Sequence, residues 1–81
     1  MSVSAGDARY WEPQESEELI GAFDLYEGSH WAVRTEDGTA WLLGPHAEEA
    51  LRAKRPREGD RVHVVHMLDT LGGSKFYVSI D

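Results

Sequence analysis

Histidine is the residue type in this chain that most readily supports chemistry, and it occurs at His30, His46, His63 and His66. His63 and His66 lie three apart in a predicted strand, so their side chains would point to opposite faces, which is poor geometry for a shared metal ion. The sequence contains no cysteine, no glycine-rich phosphate loop, no His-Glu-x-x-His motif and no nucleophile elbow. It therefore predicts a binding protein rather than an enzyme, without a metal or other cofactor.

Aromatic and basic side chains flank Asp37-Gly38, a strong signal for a two-residue hairpin turn. Such a turn would pair Arg34 with Trp41. If residues 27–29 form the preceding turn, Tyr26 opposes His30 in the same way. One sheet face, predicted to lie outside, then gathers Asp24, Tyr26, His30, Arg34, Trp41 and Leu43, and the other, predicted to lie inside, holds Trp31, Val33, Ala40 and Leu42.

This outer face predicts a nucleic-acid platform, because exposed aromatic rings stack unpaired bases and arginine adds charge and cation–π contact. Two other interpretations stay open. Arg34 and Trp41 could be an ordinary surface pair held by a neighbouring carboxylate. Alternatively, the adjacent aromatics Tyr10 and Trp11 could cover the patch.

A basic cluster follows further along the chain, with five of the eight Lys and Arg residues inside ten positions. Its members are Arg52, Lys54, Arg55, Arg57 and Arg61. Glu58 and Asp60 reduce the segment's net charge to +3. Such a patch can hold a phosphate backbone, although cations also favour a helix C-terminus without binding anything. Lys75 and Tyr77, after the loop at Gly72-Gly73, are further candidate contacts.

The elements that must position these residues follow from hydrophobic alternation, which predicts strands over 19–26, 30–36, 39–43, 61–68 and 75–80. Gly21 indicates a bend in the first strand. A helix is predicted over 46–55, because Pro45 suits its first position and Pro56 stops it. Residues 1–17 are predicted to form a solvated acidic arm, leaving 18–81 as the domain.

Composition narrows the class of protein. The 81 residues suffice for one small domain. No run approaches the roughly 18 apolar residues of a membrane span, and the first residues lack the basic and apolar regions of a secretory signal, so a cytoplasmic location is the default expectation. A net charge of −7 excludes a globally basic nucleic-acid binder.

The stretches DGTAWLLGPHAEEALRAKRPREGDRVHVVHM and GGSKFYVSI resemble small OB-fold single-stranded-DNA-binding proteins of the kind carried by phages, and the resemblance covers roughly residues 19–80. It implies an all-β fold, a five-stranded OB-fold-like Greek-key barrel with one short helix between strands 3 and 4. The usual ligand platform of that fold is the outer face of strands 2 and 3. An SH3-like barrel is the competing fold, but it usually lacks a helix at this point.

Two functions fit these residues. The first is a module for single-stranded DNA or RNA, with Trp41 and Tyr26 or Tyr77 stacking bases and with Arg34, Lys75 and the basic cluster contacting phosphates. The net charge of −7 predicts that such binding is weak and salt-sensitive. The second is a protein-interaction or assembly module that uses the Trp41 and Leu43 face, a free sheet edge or the acidic arm.

Overall fold

A computed structural model describes residues 8–81 and shows a small, mostly β domain with one short helix. Its elements are β1 (Ala8–Tyr10), β2 (Glu18–Tyr26), β3 (His30–Arg34), β4 (Ala40–Leu42), α1 (Pro45–Arg52), β5 (Arg61–Leu68) and β6 (Ser74–Ile80). The strands form one mixed sheet in the order β1-β4-β3-β2-β5-β6, which does not close. Among the described residues, no helix is long and apolar enough to cross a membrane.

The strand order contains a Greek key. Strands β2, β3 and β4 follow one another as antiparallel neighbours, and β5 returns through α1 to the other side of β2. β2 turns from one partner to the other at the predicted bend. A Cβ atom at Gly21 would lie 2.3 Å from the carbonyl oxygen of Arg34. Only glycine therefore allows this close approach.

The helix ends earlier than the sequence predicts, at Arg52 rather than Arg55. The amides of Lys54 and Arg55 donate to the carbonyls of Leu51 and Arg52 in tight turns. Arg55 then takes a positive φ of 52°, which no helix residue adopts. The basic residues after Arg52 consequently lie on a turn rather than on a helix face.

The predicted solvated arm is wrong over its described part. Ala8–Tyr10 forms a sixth strand parallel to β4, and the Trp11 amide donates to the Leu42 carbonyl at 2.9 Å. The Trp11 ring packs 5.9 Å from that of Phe76 on β6. The free edge of β4 and burial of the indole explain why this acidic segment joins the sheet. The rest of the predicted arm, residues 1–7, lies outside the described residues.

The core lies between α1 and the inner face of the sheet. Its buried members are Leu19, Phe23, Val33, Leu43, Ala47, Leu51, Val62 and Val64. Ala47 and Leu51 are four apart and present one helix face to the sheet. This packing fixes α1, and with it the start of the basic cluster, against the sheet, where β6 is the strand that α1 contacts most.

Candidate functional site

Between β3 and β4, three residues (36–38) separate the backbone-bonded pair Thr35 and Thr39, so the predicted two-residue turn is wrong. The Thr35 amide donates to the Thr39 carbonyl at 3.0 Å, and the Gly38 amide donates to the Thr35 carbonyl at 2.9 Å. The Asp37 carboxylate accepts the Thr35 hydroxyl at 2.6 Å and the Thr39 amide at 3.0 Å. These two bonds lower the pKa of Asp37. Gly38, at a φ of 91°, supplies the left-handed residue that such a loop requires.

The extra loop residue moves Trp41 to the other side of the sheet. Arg34 pairs with Ala40, and Trp41 pairs with the core residue Val33, because a one-residue slip exchanges the faces of a strand. Trp41 is half-buried against the core rather than exposed beside Arg34. Leu43, also predicted outside, is buried. The predicted platform of Arg34 and Trp41 on one face is therefore wrong.

The outer face of β2 and β3 otherwise has the predicted pairs, with Tyr26 opposite His30. The Arg34 guanidinium donates to the Asp24 carboxylate at 2.8 Å and to the Gly38 carbonyl at 2.7 Å. Its charge is compensated within the fold. This face consequently offers an aromatic ring at Tyr26 but little net positive charge.

Trp41 instead lies in a groove of about 680 Å³, which we call the acidic groove. Its aromatic lining residues are Tyr10, Trp11 and Trp41, its carboxylates are Glu12, Glu17, Glu18, Glu36 and Asp37, and Leu19 and Thr35 complete it. None of the eight Lys and Arg residues lines it. The negative potential of such a groove repels phosphates and attracts cations.

Trp31, which was predicted to lie on the inner face of the sheet, is in contact with a cation rather than with carboxylates. Trp31 is half-buried, packs 4.6 Å from the Phe23 ring, and carries the Arg52 guanidinium 5.2 Å above its ring. Arg52 also pairs with Glu48 at 3.0 Å. We call Trp31 and the exposed cations Arg52, Lys54, Arg55 and Arg57 the basic end. The pairing register of β3 and β4 could have been predicted from Asp37, because its carboxylate can bond across a three-residue loop to Thr35 and Thr39.

Backbone contacts fasten the basic end to β2. The Gly59 amide donates to the Phe23 carbonyl at 2.9 Å, and the Phe23 amide donates to the Asp60 carbonyl at 2.8 Å. The carboxylates of Glu58 and Asp60 accept backbone amides, at 3.4 Å and 2.8 Å. In the described part of the chain they form no ion pair with the neighbouring cations.

The remaining predicted contacts lie elsewhere. Arg61 pairs with Asp81 at 3.5 Å. Lys75 and Tyr77 are on the outer face of β5 and β6. Tyr77 pairs with Val65, and Val65 pairs in turn with Glu18 at the start of β2. Glu18 is eight residues along β2 from Tyr26, a separation of up to about 26 Å. The structure therefore does not bring Lys75 and Tyr77 to the basic end.

The histidines of β5 have separate structural contacts. His63 contacts the Glu18 carboxylate on the outer face. His66 is buried, where Nδ1 donates to the Gln14 carbonyl at 2.9 Å and Nε2 accepts the Ser74 hydroxyl at 3.1 Å. Between residues 8 and 81 there is no group of three or more His, Cys, Asp or Glu side chains that could hold a metal ion.

Comparisons with protein-family models, with curated proteins and with solved structures find no match. The candidate sites therefore rest on geometry and charge.

Proposed function

We propose that this chain is a small OB-fold-like module that binds single-stranded nucleic acid at its basic end. The observation that carries the proposal is the run of exposed cations that follows Arg52 in the chain, together with the stack of Arg52 on Trp31. The Greek-key order, the bend at Gly21 and the helix between β4 and β5 support the OB-like assignment, since that fold is a partly open Greek-key barrel. The sixth strand, β1, is an addition to the five-stranded pattern.

The basic end offers the two kinds of contact that bind a single-stranded nucleic acid, base stacking and neutralisation of phosphates. The guanidinium of Arg52, which lies over the Trp31 ring, offers a planar surface on which a base can stack. Lys54, Arg55 and Arg57 are free of ion pairs among the described residues, so they can neutralise phosphates and release counterions. Tyr26 and His30 lie at the tip of the same hairpin but on the other face of the sheet from Trp31, so they are not part of the basic end.

Charge elsewhere in the molecule limits the affinity. The chain carries −7 overall, and five acidic residues line the acidic groove. A phosphate backbone is repelled there and attracted at the basic end, so a bound strand should be restricted to one part of the surface. Binding should also weaken steeply as salt rises.

The test is fluorescence anisotropy of a labelled oligothymidine of about 15 nucleotides, a length that spans one OB-type site. The variant Lys54→Gln/Arg55→Gln removes two unpaired charges from the basic end. At about 0.1 M salt we expect it to weaken binding on the order of 25-fold and to reduce the log–log salt slope by about 1.4. The matched control Arg9→Gln/Lys75→Gln removes two charges that lie outside the basic end and should weaken binding less than about threefold.

Two results would overturn the proposal. Equal losses in both double variants would mean that net charge alone governs the interaction. An absence of saturable binding by the unaltered chain at low salt would remove the nucleic-acid function altogether.

A further inference from the structure

We propose that the acidic groove is a second binding site, which takes an arginine-containing segment of a partner protein. It is separate from the basic end, because two other tryptophans, Trp11 and Trp41, line it and no basic residue does. Its volume of about 680 Å³ lies within the range of roughly 300–1,000 Å³ typical of ligand pockets.

The aromatic rings supply the first recognition element. Tyr10 is 68% exposed, and Trp11 and Trp41 are half-buried against the core, which holds their rings in place. Aromatic faces attract cations, with tryptophan the strongest. A guanidinium is planar and weakly hydrated, so it stacks on a ring and still donates from its edge to a carboxylate. This combination favours arginine over a compact ammonium group.

The carboxylates supply the second element. Glu17 accepts the Gln14 amide at 2.6 Å, and Glu18 contacts His63. Glu12 and Glu36 have no hydrogen bond or ion pair within residues 8–81. They come from two different elements, the segment after β1 and the β3–β4 loop. Two uncommitted charges beside three rings are available for a cationic ligand.

Charge also decides between possible occupants. Phosphates are repelled from the acidic groove. A second copy of this chain could present its own basic end, but two molecules of net charge −7 repel at long range. A positively charged segment of another protein is attracted both at a distance and in contact.

The probe is a fluorescent peptide with two arginines spaced by glycines, blocked at both ends, compared with the same peptide carrying citrulline, a neutral analogue of nearly the same shape. We expect the arginine peptide to bind at least about tenfold more tightly. The variant Glu12→Gln/Glu36→Gln should weaken binding about tenfold. The matched control Glu15→Gln/Glu27→Gln, which alters exposed carboxylates outside the groove, should change it less than about twofold.

Location is read from the three tryptophan indole N–H signals in NMR spectra, assigned with Trp→Phe variants. The peptide should shift the signals of Trp11 and Trp41 and leave that of Trp31 in place. Equal affinity for the citrulline peptide, equal effects of the two glutamate pairs, or no saturable binding would each overturn the proposal. Sedimentation that shows self-association abolished by Lys54→Gln/Arg55→Gln would assign the groove to a second copy instead.

Discussion

Trp31 and Trp41 face the same side of the sheet from neighbouring strands, yet different charged side chains lie beside them. Trp31 lies under the guanidinium of Arg52 at the basic end. Trp41 lies among carboxylates in the acidic groove. Net charge is therefore a poor guide to local charge in a small domain. A chain of net charge −7 places a cation on one tryptophan and carboxylates around another.

The separation of the two regions depends most on the packing of α1. Leu51 is fully buried next to Arg52. The change Leu51→Ala should lower the free energy of unfolding by about 2–5 kcal/mol, because it leaves a cavity under the helix. Urea denaturation measures this effect. Glu49→Ala, on the exposed face of the same helix, should stay within about 0.5 kcal/mol of the unaltered chain. Equal losses would show that α1 is not anchored through Leu51.

The bend in β2 is the second device that keeps the regions apart. Its first half borders the acidic groove through Glu18 and Leu19. Its second half, at Phe23, supports the basic end. Because a Cβ at Gly21 would collide with the backbone of Arg34, Gly21→Ala should destabilise the fold by about 1–3 kcal/mol.

Gly44 provides the control for this change. Its Cβ would meet nothing within 4 Å, and its φ of −74° suits any residue. We expect Gly44→Ala to change the free energy of unfolding by less than about 1 kcal/mol in the same thermal or urea denaturation, because alanine lowers the entropy of the unfolded chain but is a poorer N-cap of α1 than glycine. A tolerated Gly21→Ala would contradict the close approach at the bend.

The stack of Arg52 on Trp31 contributes less to stability. Arg52→Gln removes the cation–π contact and the pair with Glu48, both largely exposed, so the loss should be below about 1 kcal/mol. Changed fluorescence of Trp31, measured in a chain whose other tryptophans are phenylalanine, should accompany it. Lys54→Gln should leave that emission unchanged. An identical spectrum for both variants would mean that Arg52 does not contact the ring.

The smallest effect concerns the loop that set the register. Because hydrogen bonds from Thr35 and Thr39 lower the pKa of Asp37 in the folded chain, its stabilising contribution is present above the ordinary aspartate pKa and is lost as the pH falls through the folded value. The stability advantage of the unaltered chain over Asp37→Asn should therefore shrink below about pH 4. Denaturation at several pH values measures it. A difference that is constant with pH would contradict the assignment.

Much of the fold was predictable from local pattern. The strand over Arg61–Leu68 has the predicted boundaries, and the Gly21 bend and the helix after Pro45 follow from single residues with strong conformational preferences. Pairing register was harder, since Asp37-Gly38 fits both a two-residue and a three-residue loop. The one additional loop residue exchanges the two faces of β4 and places Trp41 on the core side of the sheet.

Strand β1 escaped prediction for a different reason. Its pairing with β4 brings together Ala8 and Ala40, which are far apart in sequence, and three residues carry no periodic signal. The residue types of the candidate site could be predicted from the sequence, but their positions relative to one another could not. The cluster from Arg52 to Arg57 was evident as a run of charges, whereas its aromatic partner, Trp31, required the three-dimensional fold.

The central claim is that single-stranded nucleic acid binds beside Trp31 and not beside Trp41. Titrating the protein with oligothymidine at low salt, while following the three assigned indole N–H signals by NMR, tests it most directly. We expect the Trp31 signal to shift to saturation and to return as salt is added, with the Trp41 signal unmoved. A saturable shift of Trp41 with Trp31 unmoved would contradict it.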